Sequence, residues 1–561
     1  MLTLVIIRTS IMKNTLFKNV HSFKLIITIV FILFLDSNCL SAQSLVKDIR
    51  PGSQSSSPTH FCKINNQLFF IANNGVNGFE LWKSDGTDAG TQMIKDINLG
   101  TDDCNLTAIT NLNGIAIFSS NNGANGIELW RSDGTEQGTY MIKDIRPWFT
   151  GSDINQMITI GNTVYFDADD GTNGKELWKT DGTTMGTLMV KDIAPGFFAS
   201  TPSYFQNLNG KLIFVANNTF GNEAWVSDGT EAGTFMLADI TNANKPFGIY
   251  STPFFTRVGN IAYFAPHKNI FTDMFELWKT DGTSQGTILV SEIKFSTVPS
   301  TNKFAALNNK LIFCASSDQQ GDEIWVSNGT RAGTTLLKNI RPGSYGSYTK
   351  DLTVLNNHIY FSANDGTNYS ELWRTDGTPN GTYMVKDIHI GLSSEIKSLY
   401  TYNNKLYFKA TDGTGVKAWR SDGTKLGTVY AWPNRNIIHE VTDTNGDTII
   451  ATVNNTLFFR NNTGDIELWK YNDPLLTSIS SIKHNDIEIY PNPARNLFTV
   501  NTSEFESGNI KIIDLNGRVI LTENINQRDN IQFDLALANG VYIIELENQS
   551  MIARKKLIVN N

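Results

Sequence analysis

Three sets of side chains in this chain have types and spacing that could do chemistry. The first is a recurring acid–base pair: Glu80 and Lys95, with Asp96 beside them, return at equivalent places along most of the sequence. On adjacent antiparallel strands such a pair reads as a cross-strand ion pair. A reaction centre needs one asymmetric constellation, so a pair repeated in most units is read as structural, and no catalytic residue is assigned. The second set is metal ligands. His60, His267, His358, His389, His439 and His484 are scattered, with no His-x-x-x-His or Cys-x-x-Cys spacing for zinc. Oxygen ligands that a calcium ion could use gather at Asp167-Ala168-Asp169-Asp170-Gly171-Thr172-Asn173 and at Asp443-Thr444-Asn445-Gly446-Asp447. The same residues make tight turns, which is the preferred reading, so no metal residue is assigned and no cofactor is expected. The third set is aromatic. Trp148, Phe149, Phe197, Phe198, Phe247, Tyr250, Tyr345 and Tyr348 interrupt connections that elsewhere read as plainly as Arg50-Pro51-Gly52-Ser53. Rings beside Asn- and Gly-rich loops suit stacking on sugars, with carboxamides bonding hydroxyls, and these eight are the candidate ligand-binding residues. The alternative is that they plug the centre or the seams of the fold.

The elements that must position these groups follow from self-similarity. Trp82, Trp130, Trp178, Trp225, Trp278, Trp325, Trp373, Trp419 and Trp469 recur at intervals of 48, 48, 47, 53, 47, 48, 46 and 50 residues. Around most of them stands Glu-Leu-Trp-x-x-Asp-Gly-Thr-x-x-Gly-Thr, as in Glu80–Thr91 and Glu128–Thr139. Unit six departs with Asn328 for the turn Asp, and unit eight with Lys417 for Glu. Each unit holds four β-prone runs, illustrated by His60–Ile64, Gln67–Ala72, Gly78–Lys83 and Thr91–Ile97. Ser84-Asp85-Gly86-Thr87 supplies the Asp-Gly turn between the last two. Four strands per unit of roughly 48 residues predict an all-β fold, a β-propeller of about nine blades. The ninth unit stops at Tyr471 without its Val-Lys-Asp-Ile strand, while Val46-Lys47-Asp48-Ile49 stands alone ahead of the first unit, so the orphan is expected to close the ring. Nine exceeds the usual 4 to 8 blades, leaving eight blades or an open stack as alternatives.

The repeat, over roughly residues 46–471, resembles the family of ELWxxDGT repeat proteins, which implies an exported scaffold and brings no established reaction. After a linker at 473–486 the period ends, and seven strand-like runs in 487–561 predict a small Ig-like β-sandwich. Runs at Lys511–Leu515, Val519–Ile525, Ile531–Leu537 and Val541–Glu547 belong to it. Pro491-Asn492-Pro493, Gly540-Val541-Tyr542 and Lys555-Lys556 resemble the type A sorting domain of the type IX secretion system, so Pro491, Asn492, Pro493, Gly540, Tyr542, Lys555 and Lys556 are the expected sorting-signal residues. The resemblance implies the type IX machinery as a partner.

Lys13, Lys18 and Lys24, the apolar run Leu25–Leu35 and small Ser41-Ala42 have the order of a secretory signal peptide over 1–42, with 43–472 as the repeat domain. No other segment approaches a membrane span. The formal charge of −8 becomes −11 once residues 1–42 are removed, which argues against nucleic acid and anionic membranes. The expected protein is a secreted or cell-surface repeat scaffold of a Gram-negative bacterium that binds extracellular glycan or protein, as in adhesion, through its loop face. The alternatives are a glycan-degrading hydrolase or lyase on the same scaffold, and a purely structural surface component.

Overall fold

The computed structural model describes residues 43–218, 221–240, 255–266, 274–294, 304–317, 320–431, 450–460, 466–472, 488–502, 507–514, 519–526, 530–535, 537–547 and 552–560. The expected signal peptide (1–42), the linker at 473–486, Phe247, Tyr250 and the Asp443–Asp447 loop lie outside them, as does most of the enlarged connection between Ala265 and Phe275.

Two compact units result, Leu45–Lys470 and one holding the C-terminal residues from Tyr471. Among the described residues the first contains nine four-stranded antiparallel units. Blade one is Thr59–Ile64, Gln67–Asn73, Phe79–Ser84 and Gln92–Lys95, paired in that order. First strands of most neighbouring blades touch each other, including those of blades nine and one, so they line a common centre. Asn side chains in the turn after the first strand bridge blades there: Asn65 Nδ2 donates to Gly114 O at 3.1 Å, and Asn454 Nδ2 to Asn66 O at 3.3 Å.

Why the blades stack is legible in two adjacent residues. Side chains alternate across a strand, so Leu81 and Trp82 face opposite neighbours. Leu81 packs in one apolar cluster with Trp130 of blade two, Leu129 with Trp178, Leu177 with Trp225, Leu277 with Trp325 and Leu372 with Trp419. The second strand is buried along its middle because both faces meet a blade, as in Leu68, Phe69, Phe70, Ile71 and Ala72. Fully burying a Leu or Phe side chain contributes about 1.5–3 kcal/mol, and each seam does this many times over.

The ring closes as expected from the orphan strand. Gln43–Lys47 pairs with Leu468–Asn472 as the outer strand of blade nine, and Val46, Trp82 and Leu468 share the seam with blade one. Blades five and six are joined by one extra pairing, Lys294 with Ser316. In blade eight the outer strand shrinks to Val429–Tyr430, where Val-Tyr-Ala-Trp stands for Val-Lys-Asp-Ile. Cys62, Cys104 and Cys314 form no disulfide with one another.

The second unit has seven strands. Ile489–Tyr490, Leu497–Asn501 and Asn530–Asp534 form one sheet; Val519–Asn526, Ser507–Asp514, Gly540–Glu547 and Ile552–Val559 form the other. Phe498, Val500, Ile512, Ile544 and Leu557 fill the core between them.

Candidate functional site

The recurring Glu and Lys do not form the expected cross-strand ion pair. Glu80 is buried, and its carboxylate accepts the N–H groups of Ile97 at 2.8 Å and Asn98 at 3.2 Å, where the chain leaves the outer strand. Lys95 reaches the next blade instead and donates to Thr139 O at 2.8 Å. Register explains the difference: Lys95 stands opposite Leu81, and the bulge beside it turns Glu80 toward the departing linker. Glu128, Glu323 and Glu371 bind their linkers in the same way. Where Lys417 replaces Glu, it pairs with Asp412 at 3.7 Å and donates to the Tyr430 hydroxyl at 3.1 Å. Burial outweighs the N–H donors and pushes Glu80 up to about 8 and Glu128 and Glu371 up to about 7.

These linkers carry the aromatic candidates. Trp148, Phe149, Phe197, Phe198, Tyr345 and Tyr348 are 54–81% exposed, so they neither plug the centre nor fill the seams. Phe197 and Phe198 stack on each other with centroids 4.8 Å apart, and Arg341 lies over the Tyr345 ring at 5.2 Å. The linkers share a face with the loop between second and third strands. A Cβ on Gly126 would lie 2.9 Å from Phe149 O, and one on Gly174 2.4 Å from Phe198 O, so only glycine permits this approach. Trp148-Phe149 and Phe197-Phe198 occupy consecutive linkers, entering blades three and four. Tyr345 and Tyr348 enter blade seven and are not brought to them.

Sequence reasoning missed what these linkers lead to. A recess of about 390 Å³ opens between the first strands of blades one to four. It is lined by the register position that reads His60, Ala108, Gln156 and Tyr204 in the four blades and by the apolar residues that follow, Phe61, Ile109, Met157 and Phe205. Two ways of entering the first strand shape it. In blades one and four the backbone bulges, with φ of 58° at His60 and 57° at Tyr204. In blades two and three a side-chain oxygen straightens it instead. Ser119 Oγ accepts Thr107 N–H and Ala108 N–H at 3.1 and 3.0 Å, and Asp167 Oδ1 accepts Asn155 N–H and Gln156 N–H at 3.0 and 2.7 Å. Asp167 is buried beside Lys175 at 3.3 Å, and Lys175 also reaches Asp153 at 2.6 Å. Gln156 Oε1 accepts Tyr204 N–H at 3.0 Å, which ties blade three to blade four. The readable signal was variation at a fixed offset: this position changes in each blade while Trp and Gly do not.

The oxygen-rich stretch Asp167–Asn173 is occupied by its own turn. Asp169 binds Arg146 at 2.6 Å and Gly171 N–H at 2.6 Å, and Asp170 Oδ1 accepts Thr172 N–H and Asn173 N–H at 2.8 Å each. Among the described residues no group of three or more His, Cys, Asp or Glu is placed to hold a metal ion.

In the C-terminal unit the Pro491-Asn492-Pro493 segment lies along the last strand. Asn492 Nδ2 donates to Lys556 O at 2.8 Å, its Oδ1 accepts Ile558 N–H at 2.9 Å, and Ala494 pairs with Val559 in parallel. Tyr542 donates its hydroxyl to Ala538 O at 2.9 Å, Gly540 pairs with Val559, and Lys555 and Lys556 lie on the strand so held. Residues 488–560 match the family model for a secretion system C-terminal sorting domain. This module is a type IX sorting domain. Through its sorting domain the chain is exported to the outer cell surface or the medium of a Gram-negative bacterium, and the type IX machinery is its partner. No helix among the described residues is long and apolar enough to cross a membrane.

Comparison with curated proteins gave no match. Among solved structures, a prolyl endopeptidase is 10% identical, with 84% of this chain and 59% of that one covered and a TM-score of 0.35. Sqt1 of Saccharomyces cerevisiae is 10% identical, covering 68% and 98%, with a TM-score of 0.35. Puromycin hydrolase is 11% identical at a TM-score of 0.31, and the chain covers 60% of its length. No site residue is carried over from these proteins.

Proposed function

We propose that this protein is a member of the ELWxxDGT repeat family that leaves the cytoplasm by an N-terminal signal peptide and binds an extracellular partner, a glycan or a protein, as a surface or secreted scaffold. The linker face of the propeller is the binding face. The observation that supports this reading is the pair of aromatic dipeptides, Trp148-Phe149 and Phe197-Phe198, held in solvent on consecutive linkers. Exposing four large rings costs the fold hydrophobic burial without any return in stability, and clustered exposed aromatics mark recognition surfaces. Exposed rings suit the C–H faces of a sugar, and the acidic chain repels an anionic polymer.

The test is a glycan array and a surface-protein pull-down with the exported chain, beside a Trp148→Ala, Phe197→Ala double variant. Saturable binding that the double variant loses supports the loop face. Binding retained by the variant removes these rings from the site, and release of shortened glycan would put a hydrolase or lyase in place of a binding scaffold.

A further inference from the structure

We infer that the recess between the first strands of blades one to four takes a unit of a neutral oligosaccharide whose neighbouring units lie over Trp148, Phe149, Phe197 and Phe198. This rests on the loop-face reading above and specifies its ligand and its centre.

Four observations carry it. First, among the described residues lining the recess none is Lys, Arg, Asp or Glu, and a ligand of hydroxyl groups meets polar side chains there. Gln156 is the central one: its Oε1 is taken by Tyr204 N–H, and its Nε2 makes no bond among the described residues. Second, Phe61, Ile109, Met157 and Phe205 are among the lining residues beside the polar ones, and about 390 Å³ is within the range of small-ligand sites. Third, the site is asymmetric and pre-formed. Ala108 stands where the equivalent positions carry His60, Gln156 and Tyr204, which opens the space, while Asp167 and Ser119 hold the backbone of blades three and two. A fixed site loses little conformational entropy on binding. Asp167 is a positioning residue in this scheme, since it touches the backbone of Gln156 and lines no part of the recess. Fourth, chain geometry links recess and rings. Six residues separate Phe149 from Asn155 and Phe198 from Tyr204, a reach of at most about 20 Å, so one oligosaccharide can span both.

The experiment measures affinity of the full exported chain for neutral oligosaccharides, with sulfated and uronic-acid chains as the charged comparison. Gln156→Ala removes the donor and Ala108→Phe fills the space; Trp148→Ala tests the rings. Both recess variants should weaken neutral binding at least tenfold while the chain keeps a cooperative melting transition, and Trp148→Ala should weaken it by a smaller factor. Should Ala108→Phe fail to fold, Gln156→Ala decides alone. If the recess variants bind like wild type while Trp148→Ala does not, the recess is excluded and the loop face stands. If none of the three changes binding, both readings fall. Preference for the charged chains, or no binding to any glycan, also overturns the inference.

Discussion

At the scale of single residues, the buried glutamates make the blades depend on pH. Burial raises the folded-state pKa of Glu80 from 4.5 to about 8, and of Glu128 and Glu371 to about 7. The folded chain therefore binds more protons than the unfolded one between these values, and the stability these groups contribute is present below 4.5 and lost as pH rises through 7 to 8. Thermal unfolding should show the melting temperature falling from about pH 5 to about pH 9, with Glu80→Gln making the decline shallower. A melting temperature that rises over that interval would show that the linker N–H groups, not burial, set the charge of these carboxyls. Motif spacing placed every one of these glutamates, yet their partners are amides of the linker 17 residues on, a relation visible only once register is known.

At the scale of the element, the Ser/Thr-Asp-Gly-Thr turn is built the same way in blades one to eight. Asp85 Oδ1 accepts the Thr87 N–H at 2.8 Å and its hydroxyl at 2.7 Å, Ser84 and Thr91 hydroxyls meet at 2.7 Å, and Gly86 takes φ of 91°. Asn328 replaces Asp in blade six and makes both bonds, since its amide oxygen accepts as a carboxylate does. Those donors hold Asp85, Asp133 and Asp181 below the usual carboxylate range, so their contribution is present above the ordinary value of 3.8 and lost as pH falls further. Asp85→Ala should cost about 1 kcal/mol in urea unfolding, and Asp85→Asn should cost markedly less. Equal losses for the two would mean that charge, not acceptor geometry, matters in the turn. The sequence showed this turn plainly because its chemistry is local.

For the molecule as a whole, ring closure is the feature on which most depends. Lys47 bonds Asp88 at 2.7 Å, Ile49 N–H reaches Glu467 at 3.1 Å, and Lys470 donates to Gly86 O at 2.6 Å, so blade nine binds blade one through both its chain segments. Removing residues 43–49 should expose the Trp82–Leu468 seam and lower the melting temperature by more than any single linker substitution; an unchanged melting temperature would show that the strand is dispensable. Within an intact seam, Leu129→Ala should cost about 2–5 kcal/mol by equilibrium unfolding, because Leu129 is fully buried in one cluster with Trp178. In the sorting domain, Asn492→Ala removes two bonds to the last strand. Pulse-labelled cells should then retain the chain inside the outer membrane, whereas export at the wild-type rate would make Asn492 a bystander.

What the sequence determined alone is whatever repeats or stays local. The period of the tryptophans set the repeat unit and about nine copies, Asp-Gly set the hairpins, and the Pro-Asn-Pro, Gly-Val-Tyr and Lys-Lys series marked the sorting domain. Each follows from backbone preference or alternation, which act between near neighbours. The choice of nine closed blades over eight or an open stack fell to the tertiary structure. Tertiary structure decided what lies between blades. Glu80 and Lys95 part company because register carries one to its linker and the other to the next blade. The recess exists because residues 48 positions apart along the chain, such as His60, Ala108, Gln156 and Tyr204, come together only when first strands converge on a common centre. No local rule connects them, since the forces that bring them there are the burial of Leu and Trp in seams elsewhere in the ring.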